Sequence, residues 1–262
     1  MNALVLAREC NRFWLALQFF TRLPLPVEPA YTPEELSRSS RYFPLVGLLA
    51  GGLTGLVLVL AALVWPPALA VVLALACGMW LTGAFHEDGL ADTFDALGGA
   101  MDRERALAIM KDSRIGTYGS LALIIAVLAK FLALVHLAEA SVGVAVLALG
   151  VAHPLSRAAG ASIMQWLDYV RIDSSARAKP VAENARAIDG LISIVLGLLP
   201  LAVASFWLGA GASLGVLGTV ALTVLVVGRW LRRRLGGYTG DGLGALQQLS
   251  EIVVYLTLLA LL

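Results

Sequence analysis

Seven apolar runs constrain this chain more than any other feature: 45–64, 67–85, 119–138, 141–163, 188–208, 211–230 and 243–262. Each is about 20 residues long, enough for a helix to cross a hydrocarbon layer of ~30 Å. Inside that layer a chain must satisfy its own backbone hydrogen bonds, which leaves helices or a closed barrel. Runs this long and this uniformly apolar are helices. The expected fold is therefore all-α, a polytopic integral membrane helix bundle of about seven transmembrane helices, as one membrane domain over 1–262. Only 14% of the residues are charged, against about a quarter in soluble domains, which excludes an ordinary soluble fold.

The first 23 residues do not fit that pattern. Asn2, Arg8, Glu9, Asn11, Arg12 and Gln18 interrupt the apolar residues, so 1–23 reads as an interfacial amphipathic helix rather than a span. TRLPLP at Thr21 to Pro26 ends it, and no cleavable signal peptide is read here. Thr32 followed by Pro33 marks a helix start. Cys10 and Cys77 are too differently placed to suggest a disulfide.

Of the 19 Lys and Arg residues, Lys130 lies within a span and the rest fall on one side of the membrane or at its near edge. The short connections 65–66, 139–140 and 209–210 carry none. The positive-inside rule then puts the N-terminus and the loops 86–118, 164–187 and 231–242 in the cytoplasm, and the C-terminus outside. This arrangement points to the lipid bilayer as a partner and gives no sign of nucleic acid. It leaves room for a homo-oligomer without requiring one.

Within the cytoplasmic segment 86–118, four carboxylates fall close together: Glu87, Asp88, Asp92 and Asp95. On a helix, Asp88, Asp92 and Asp95 share an arc of roughly 60°, with Leu90, Phe94 and Leu97 opposite. Like charges on one face repel unless a cation sits among them, and a divalent ion is the simplest one. The competing reading is a solvated acidic face. Gly98 and Gly99 break this helix, a short helix from Arg103 to Met110 follows, and then comes KDSRIGTYG, Lys111 to Gly119. Lys111, Arg114, Thr117 and Tyr118, between flexible glycines, suit a loop that grips phosphate, and Asp112 could add a metal ligand. A plain basic juxtamembrane loop is the alternative.

Three further groups carry polar chemistry. In HPLSRA, His153 and Arg157 share a helical face, Pro154 is expected to kink the span, and Arg157 calls for an anionic partner or an outlet to the interface. In TGDGLGALQQLSE, Asp241 opens the last span, while Gln247 and Glu251 lie one turn apart. Glu251 falls about half a membrane deep and needs a partner, for which Lys130 is a structural candidate. His86 points to the apolar side of the acidic helix, as a packed histidine or a catalytic one. The glycine-rich stretches Gly47 to Gly55 and Leu214 to Gly218 read as packing surfaces.

A carboxylate cluster beside basic, glycine-rich loops suits phosphoryl or phosphodiester transfer. Two divalent ions held by several carboxylates can clamp attacking and leaving oxygens, cationic side chains neutralise a diphosphate, and a carboxylate takes the proton of an attacking alcohol. A transporter or membrane scaffold has no need of three carboxylates on one face.

The motifs FFTRLPLP (Phe19 to Pro26), RYFPLVG (Arg41 to Gly47) and GAFHEDGLADTFDALGG (Gly83 to Gly99) occur in order along nearly the whole chain. KDSRIGTYG, HPLSRA and TGDGLGALQQLSE follow them. In this ordered set the chain resembles the cobalamin synthase (adenosylcobinamide-GDP ribazoletransferase) family. The resemblance implies a magnesium-dependent inner-membrane transferase. It would join α-ribazole, or its 5′-phosphate, to adenosylcobinamide-GDP with release of GMP, the last assembly step of adenosylcobalamin. Glu87, Asp88, Asp92, Asp95 and Asp241 would then hold Mg2+, with Asp92 or Asp95 as the base. Lys111, Arg114 and Arg157 would bind the diphosphate, and His153, Gln247 and Glu251 would line the cavity. CDP-alcohol phosphotransferases perform the same bond exchange with an Asp-rich motif, but aspartates at 88, 92 and 95 depart from their pattern. A corrinoid transporter or scaffold is the reading from another class.

Overall fold

The computed structural model describes residues 3–170, 181–182 and 186–262. Arg171, on the 164–187 connection, lies outside them. The described residues form helices and no sheet. They are α1 (Ala3–Phe20), α2 (Pro33–Arg38), a 3-10 turn (Ser39–Tyr42), α3 (Phe43–Ala62), α4 (Pro67–Thr82) and α5 (Phe85–Gly99). Then come α6 (Arg103–Ile109), α7 (Thr117–Ala140), α8 (Val142–Ile163), α9 (Ala187–Leu235) and α10 (Gly240–Leu261).

Five helices are long and apolar enough to cross a membrane: Pro33–Ala62 taken as one, α7, α8, α9 and α10. The pair α4 and α5 makes a sixth if counted together, although it bends by 86°. Helix α9 has 49 residues and is broken at Gly209, whose φ of 79° only glycine adopts readily. Gly190 at its start packs on Gln165, and Gly228 near its end packs on Trp166 and Ile163. Both ends therefore return to the end of α8, so the chain reverses at the expected 209–210 turn. Large apolar side chains such as Ile125, Phe206 and Leu222 are more than half exposed on the outer faces, as a lipid-facing surface requires.

The interior is built on α8, which packs against α3, α9 and α10. Glycines set how closely α3 can approach: a Cβ at Gly47 would fall 2.5 Å from the His153 carbonyl oxygen, and one at Gly51 would fall 2.7 Å from that of Leu149. The packing role read for Gly47 to Gly55 is what the structure contains. Helix α8 runs through Pro154 as one α-helix from Val142 to Ile163.

The polar half of α1 faces inward. Arg12 is buried, donating to Glu35 at 2.7 and 3.1 Å and to Glu9 at 2.5 Å. Arg41 joins Glu9 at 3.1 Å and reaches buried Asp189 on α9, while the Tyr42 hydroxyl donates to Glu9 at 2.7 Å. Glu9 and Arg12 thus knit α1 to α2 and the 3-10 turn, and through Arg41 to α9, while Arg8, Gln18 and the leading Leu4, Val5 and Leu6 stay exposed. As expected, Thr32 caps α2, its hydroxyl accepting from Glu35 N–H at 3.1 Å.

Candidate active site

Two left-handed residues in succession turn α4 into α5: Gly83 at φ 65° and Ala84 at φ 56°. A non-glycine residue held there is strained, and such strain survives only where the surroundings enforce it. Here the TRLPLP segment does so. Arg22 N–H donates to the Leu81 carbonyl at 2.8 Å, and the Arg22 guanidinium lies directly against Gly83. The bend swings the acidic helix out of line with its span and lays it against α10 and α7.

Contact with α10 is close. A Cβ on Gly89 would come within 2.9 Å of the Asp241 carbonyl oxygen and 3.2 Å of Gly244 Cα, so Asp241 stands beside the acidic helix. Thr239 starts α10 by accepting from Gly242 N–H at 3.0 Å. The far ends are tied by basic side chains to helix-terminal carbonyls, Arg103 to Leu235 at 2.7 Å and Arg234 to Ala100 at 2.6 Å.

The four carboxylates of α5 occupy different surroundings. Asp88 is exposed, Asp92 and Glu87 are half-buried, and Asp95 is buried. Asp95 holds the start of α7: its Oδ2 accepts from Gly116 N–H at 2.7 Å and its Oδ1 from Gly119 N–H at 2.8 Å. Glu87 turns the other way, its Oε1 accepting from Gln248 at 3.1 Å while Oε2 is buried with no hydrogen-bond partner among the described residues. Among the described residues no three His, Cys, Asp or Glu side chains converge as a ready-made ion site.

Lys111, Arg114, Thr117 and Tyr118 are exposed at the mouth of the loop before α7. Asp112 is engaged by Arg114, with four contacts between 2.6 and 3.1 Å, and hydrogen bonds from Arg114 pull its carboxyl down to about 2. Tyr118 packs over Gly98.

Deeper, a second polar group closes between α7, α8 and α10. Glu251 Oε2 accepts from Lys130 Nζ at 2.5 Å, the partner the sequence suggested. Its Oε1 accepts from Gln247 and lies 3.1 Å from His153 Nδ1 and 3.9 Å from Arg157 Nη1. Gln248 donates both to Gln247 Oε1 at 2.9 Å and to Glu87, so one hydrogen-bonded line runs from Lys130 to the acidic helix. Gln248 was not singled out from the sequence, although its place beside Gln247 in QQLSE was its signal. His86 is buried and stacks on Phe20 at 5.3 Å with 15° between the rings.

Arg157 and His86 also line a second cavity, walled by Phe19, Phe20, Phe43 and Phe85. Phe19 and Phe20 of FFTRLPLP and Phe43 of RYFPLVG therefore line this cavity, which spacing arguments alone did not reveal. The structure brings Glu87, His153, Arg157, Gln247 and Glu251 around one interior cavity. Asp88, Asp92 and Asp241 line neither cavity, and nor do Lys111, Asp112, Arg114, Thr117 and Tyr118.

A helical membrane bundle with a carboxylate edge over a buried, charge-bearing cavity belongs to the class of integral membrane enzymes. The particular family follows from sequence: the cobalamin-5-phosphate synthase family model matches residues 12–259, and the chain belongs to that family. Proteins named adenosylcobinamide-GDP ribazoletransferase are close relatives. The one from Shewanella amazonensis is 50% identical, covering 97% of this chain and 96% of its own. The one from Leptothrix cholodnii is 49% identical with 97% of each chain covered, and the one from Vibrio cholerae is 45% identical, covering 99% of this chain and 97% of its own. No solved structure matches the chain.

Proposed function

We propose that this protein is an adenosylcobinamide-GDP ribazoletransferase acting in the last assembly step of cobalamin synthesis. A ribazole hydroxyl attacks the phosphorus nearer cobinamide in adenosylcobinamide-GDP. A new P–O bond forms, the P–O bond to the guanosine phosphate breaks, and GMP leaves with the electron pair. The observation that carries this reading is the close approach of α5, at Gly89, to Asp241 of α10, with Glu87 of α5 and buried Arg157 lining one cavity, in a chain so similar to transferases of that name.

Asp92 is the base toward the ribazole hydroxyl. On the helical wheel it shares a face with Asp88; Asp95, whose two oxygens accept the Gly116 and Gly119 N–H groups, is a positioning residue for the loop before α7. Arg114 and Lys111, exposed at the mouth, meet the diphosphate as it arrives.

Magnesium suits these residues. The donors are carboxylate oxygens, Glu87 Oε2 is buried with no hydrogen-bond partner among the described residues, and Mg2+ is commonly held by one or two carboxylates together with substrate phosphates. One or two of Glu87, Asp88, Asp92 and Asp241 would hold it. When bound, the ion would neutralise the diphosphate and polarise the reacting phosphoryl group. The distribution of Lys and Arg supports an inner-membrane protein with this edge on the cytoplasmic side.

The reading is tested by offering the purified protein two donors. Adenosylcobinamide-GDP with α-ribazole should give GMP and the joined corrinoid in equal amounts, whereas a CDP-alcohol donor with an alcohol acceptor should give no CMP. The reverse result would move the chain to the CDP-alcohol phosphotransferase reaction. Arg114→Ala should raise KM for adenosylcobinamide-GDP about tenfold with kcat little changed, the loss of one charge-assisted contact to phosphate. An unchanged KM in steady-state assays removes Arg114 from the diphosphate path.

A further inference from the structure

The outer side of α9 changes character near its end. Leu222, Leu225 and Val226 are 60%, 56% and 58% exposed. Arg229, Arg232 and Arg233 follow, and all three are exposed. At about 100° per residue these six lie within an arc of roughly 120°, so the arginines continue the apolar stripe. Val227, Leu231 and Leu235, on the other side of the helix, are buried. Val226 and Arg229 are separated by about 4.5 Å along the axis, less than one turn. An apolar stripe that runs directly into a cationic one complements a molecule with a hydrocarbon chain and an anionic head.

These arginines also lack internal counter-charges. Arg12, Arg38, Arg41, Arg114 and Arg186 each meet a carboxylate. Among the described residues Arg229, Arg232 and Arg233 meet none. The positive-inside pattern accounts for basic residues at this end of a span. It does not require three of them on one outward face, in line with the apolar stripe and with no carboxylate beside them. Their neighbours tie the patch to the acidic helix. Trp230 packs on Phe94 of α5, with ring centroids 5.5 Å apart and 65° between the planes. Arg234 donates to the Ala100 carbonyl at the end of α5 at 2.6 Å, and Arg103 donates back to the Leu235 carbonyl at 2.7 Å.

We propose that the end of α9 is a binding site for an anionic diacyl phospholipid, which braces the end of the acidic helix. The lipid phosphate sits on Arg229, Arg232 and Arg233, and an acyl chain lies along Leu222, Leu225 and Val226. Arginine suits this task because its planar fork presents paired N–H donors to phosphate oxygens. A zwitterionic lipid carries its own cation beside the phosphate and gains less from the patch. Through Trp230 and Arg234 the occupied site steadies α5 where that helix ends. A second copy of the chain fits the patch less well. Among the described residues α3, α8, α9 and α10 carry no exposed carboxylate to meet three arginines.

The test is native mass spectrometry of the full chain in neutral detergent, titrated with phosphatidylglycerol or with phosphatidylcholine of the same acyl chains. The wild type should bind phosphatidylglycerol at least about tenfold more tightly than phosphatidylcholine. Each of Arg229→Gln, Arg232→Gln and Arg233→Gln should weaken phosphatidylglycerol about fivefold, and the triple variant about a hundredfold, while Arg8→Gln on α1 stays within about twofold of wild type. Hydrogen exchange across 94–103 should slow when phosphatidylglycerol is added to the wild type and not when it is added to the triple variant. If the triple variant fails to insert, the single variants carry the test. Equal affinity for the two lipids, or a phosphatidylglycerol preference that survives the substitutions, overturns the proposal. Displacement of the lipid by inorganic phosphate alone would make this a site for a free anion and overturns it too. So does a wild-type dimer that the arginine substitutions dissolve without changing lipid affinity. Exchange at the end of α5 that bound lipid leaves unmoved overturns the bracing.

Discussion

Asp92→Asn is expected to lower kcat for GMP release by about 10²–10⁴-fold, the usual loss when a positioned base can no longer take a proton. Asparagine keeps the size of the side chain, and the loss is read as kcat per folded molecule. Asp95→Asn should behave in the opposite way. It weakens two hydrogen bonds to a charged acceptor, each typically contributing about 1.5–3 kcal/mol, and replaces one acceptor oxygen by a donor facing Gly116 or Gly119 N–H. The expected result is a lower unfolding temperature, with kcat per folded molecule falling far less than for Asp92→Asn. Parallel kinetics and melting curves on the two variants read this out. If Asp95→Asn were the catalytically dead and fully stable one, the roles given to the two residues would be exchanged.

Glu251→Leu should destabilise the fold by about 3–5 kcal/mol, the range for stranding the partner of a buried ion pair. The carboxylate is 2% exposed and is the shared acceptor of Lys130 and Gln247, with His153 at 3.1 Å. Removing it leaves Lys130 with no counter-charge in an apolar span. Adding Lys130→Met should recover part of the loss, because an apolar pair of similar volume can replace a buried ion pair at little cost. Non-additivity in such a double-mutant cycle, measured by unfolding in detergent, is the signature of the direct pair. Strict additivity would mean the two residues do not share their stabilisation.

The bundle was legible because membrane helices are written as apolar runs, and the sequence ends of α7, α8 and α10 fall within a few residues of the helices themselves. The 209–210 reversal was legible for the same reason, with Gly209 supplying a backbone shape other residues avoid. The Lys130–Glu251 pair followed from depth alone, since neither charge could lie in a span unpaired.

What stayed hidden depended on tertiary contact. Helical spacing put Asp95 on one face with Asp88 and Asp92, yet α7 arrives on its side and captures both oxygens. Charge count read α1 as an amphipathic interfacial helix but did not show that Glu9 and Arg12 are held by Glu35, Arg41 and, through Arg41, Asp189. Those partners are up to 148 residues apart in the chain, beyond any local pattern. The phenylalanine cavity was equally out of reach, because its walls come from six separate segments.

The most direct test of the account is GMP release by the wild-type protein in liposomes, from adenosylcobinamide-GDP and α-ribazole, as magnesium is titrated and then removed by chelation. The account predicts GMP and joined corrinoid appearing one for one, with both ceasing when magnesium is withdrawn and resuming when it is restored. Folded protein that binds the corrinoid yet releases no GMP at any magnesium concentration would contradict it, and would point instead to a scaffold or carrier of corrinoids.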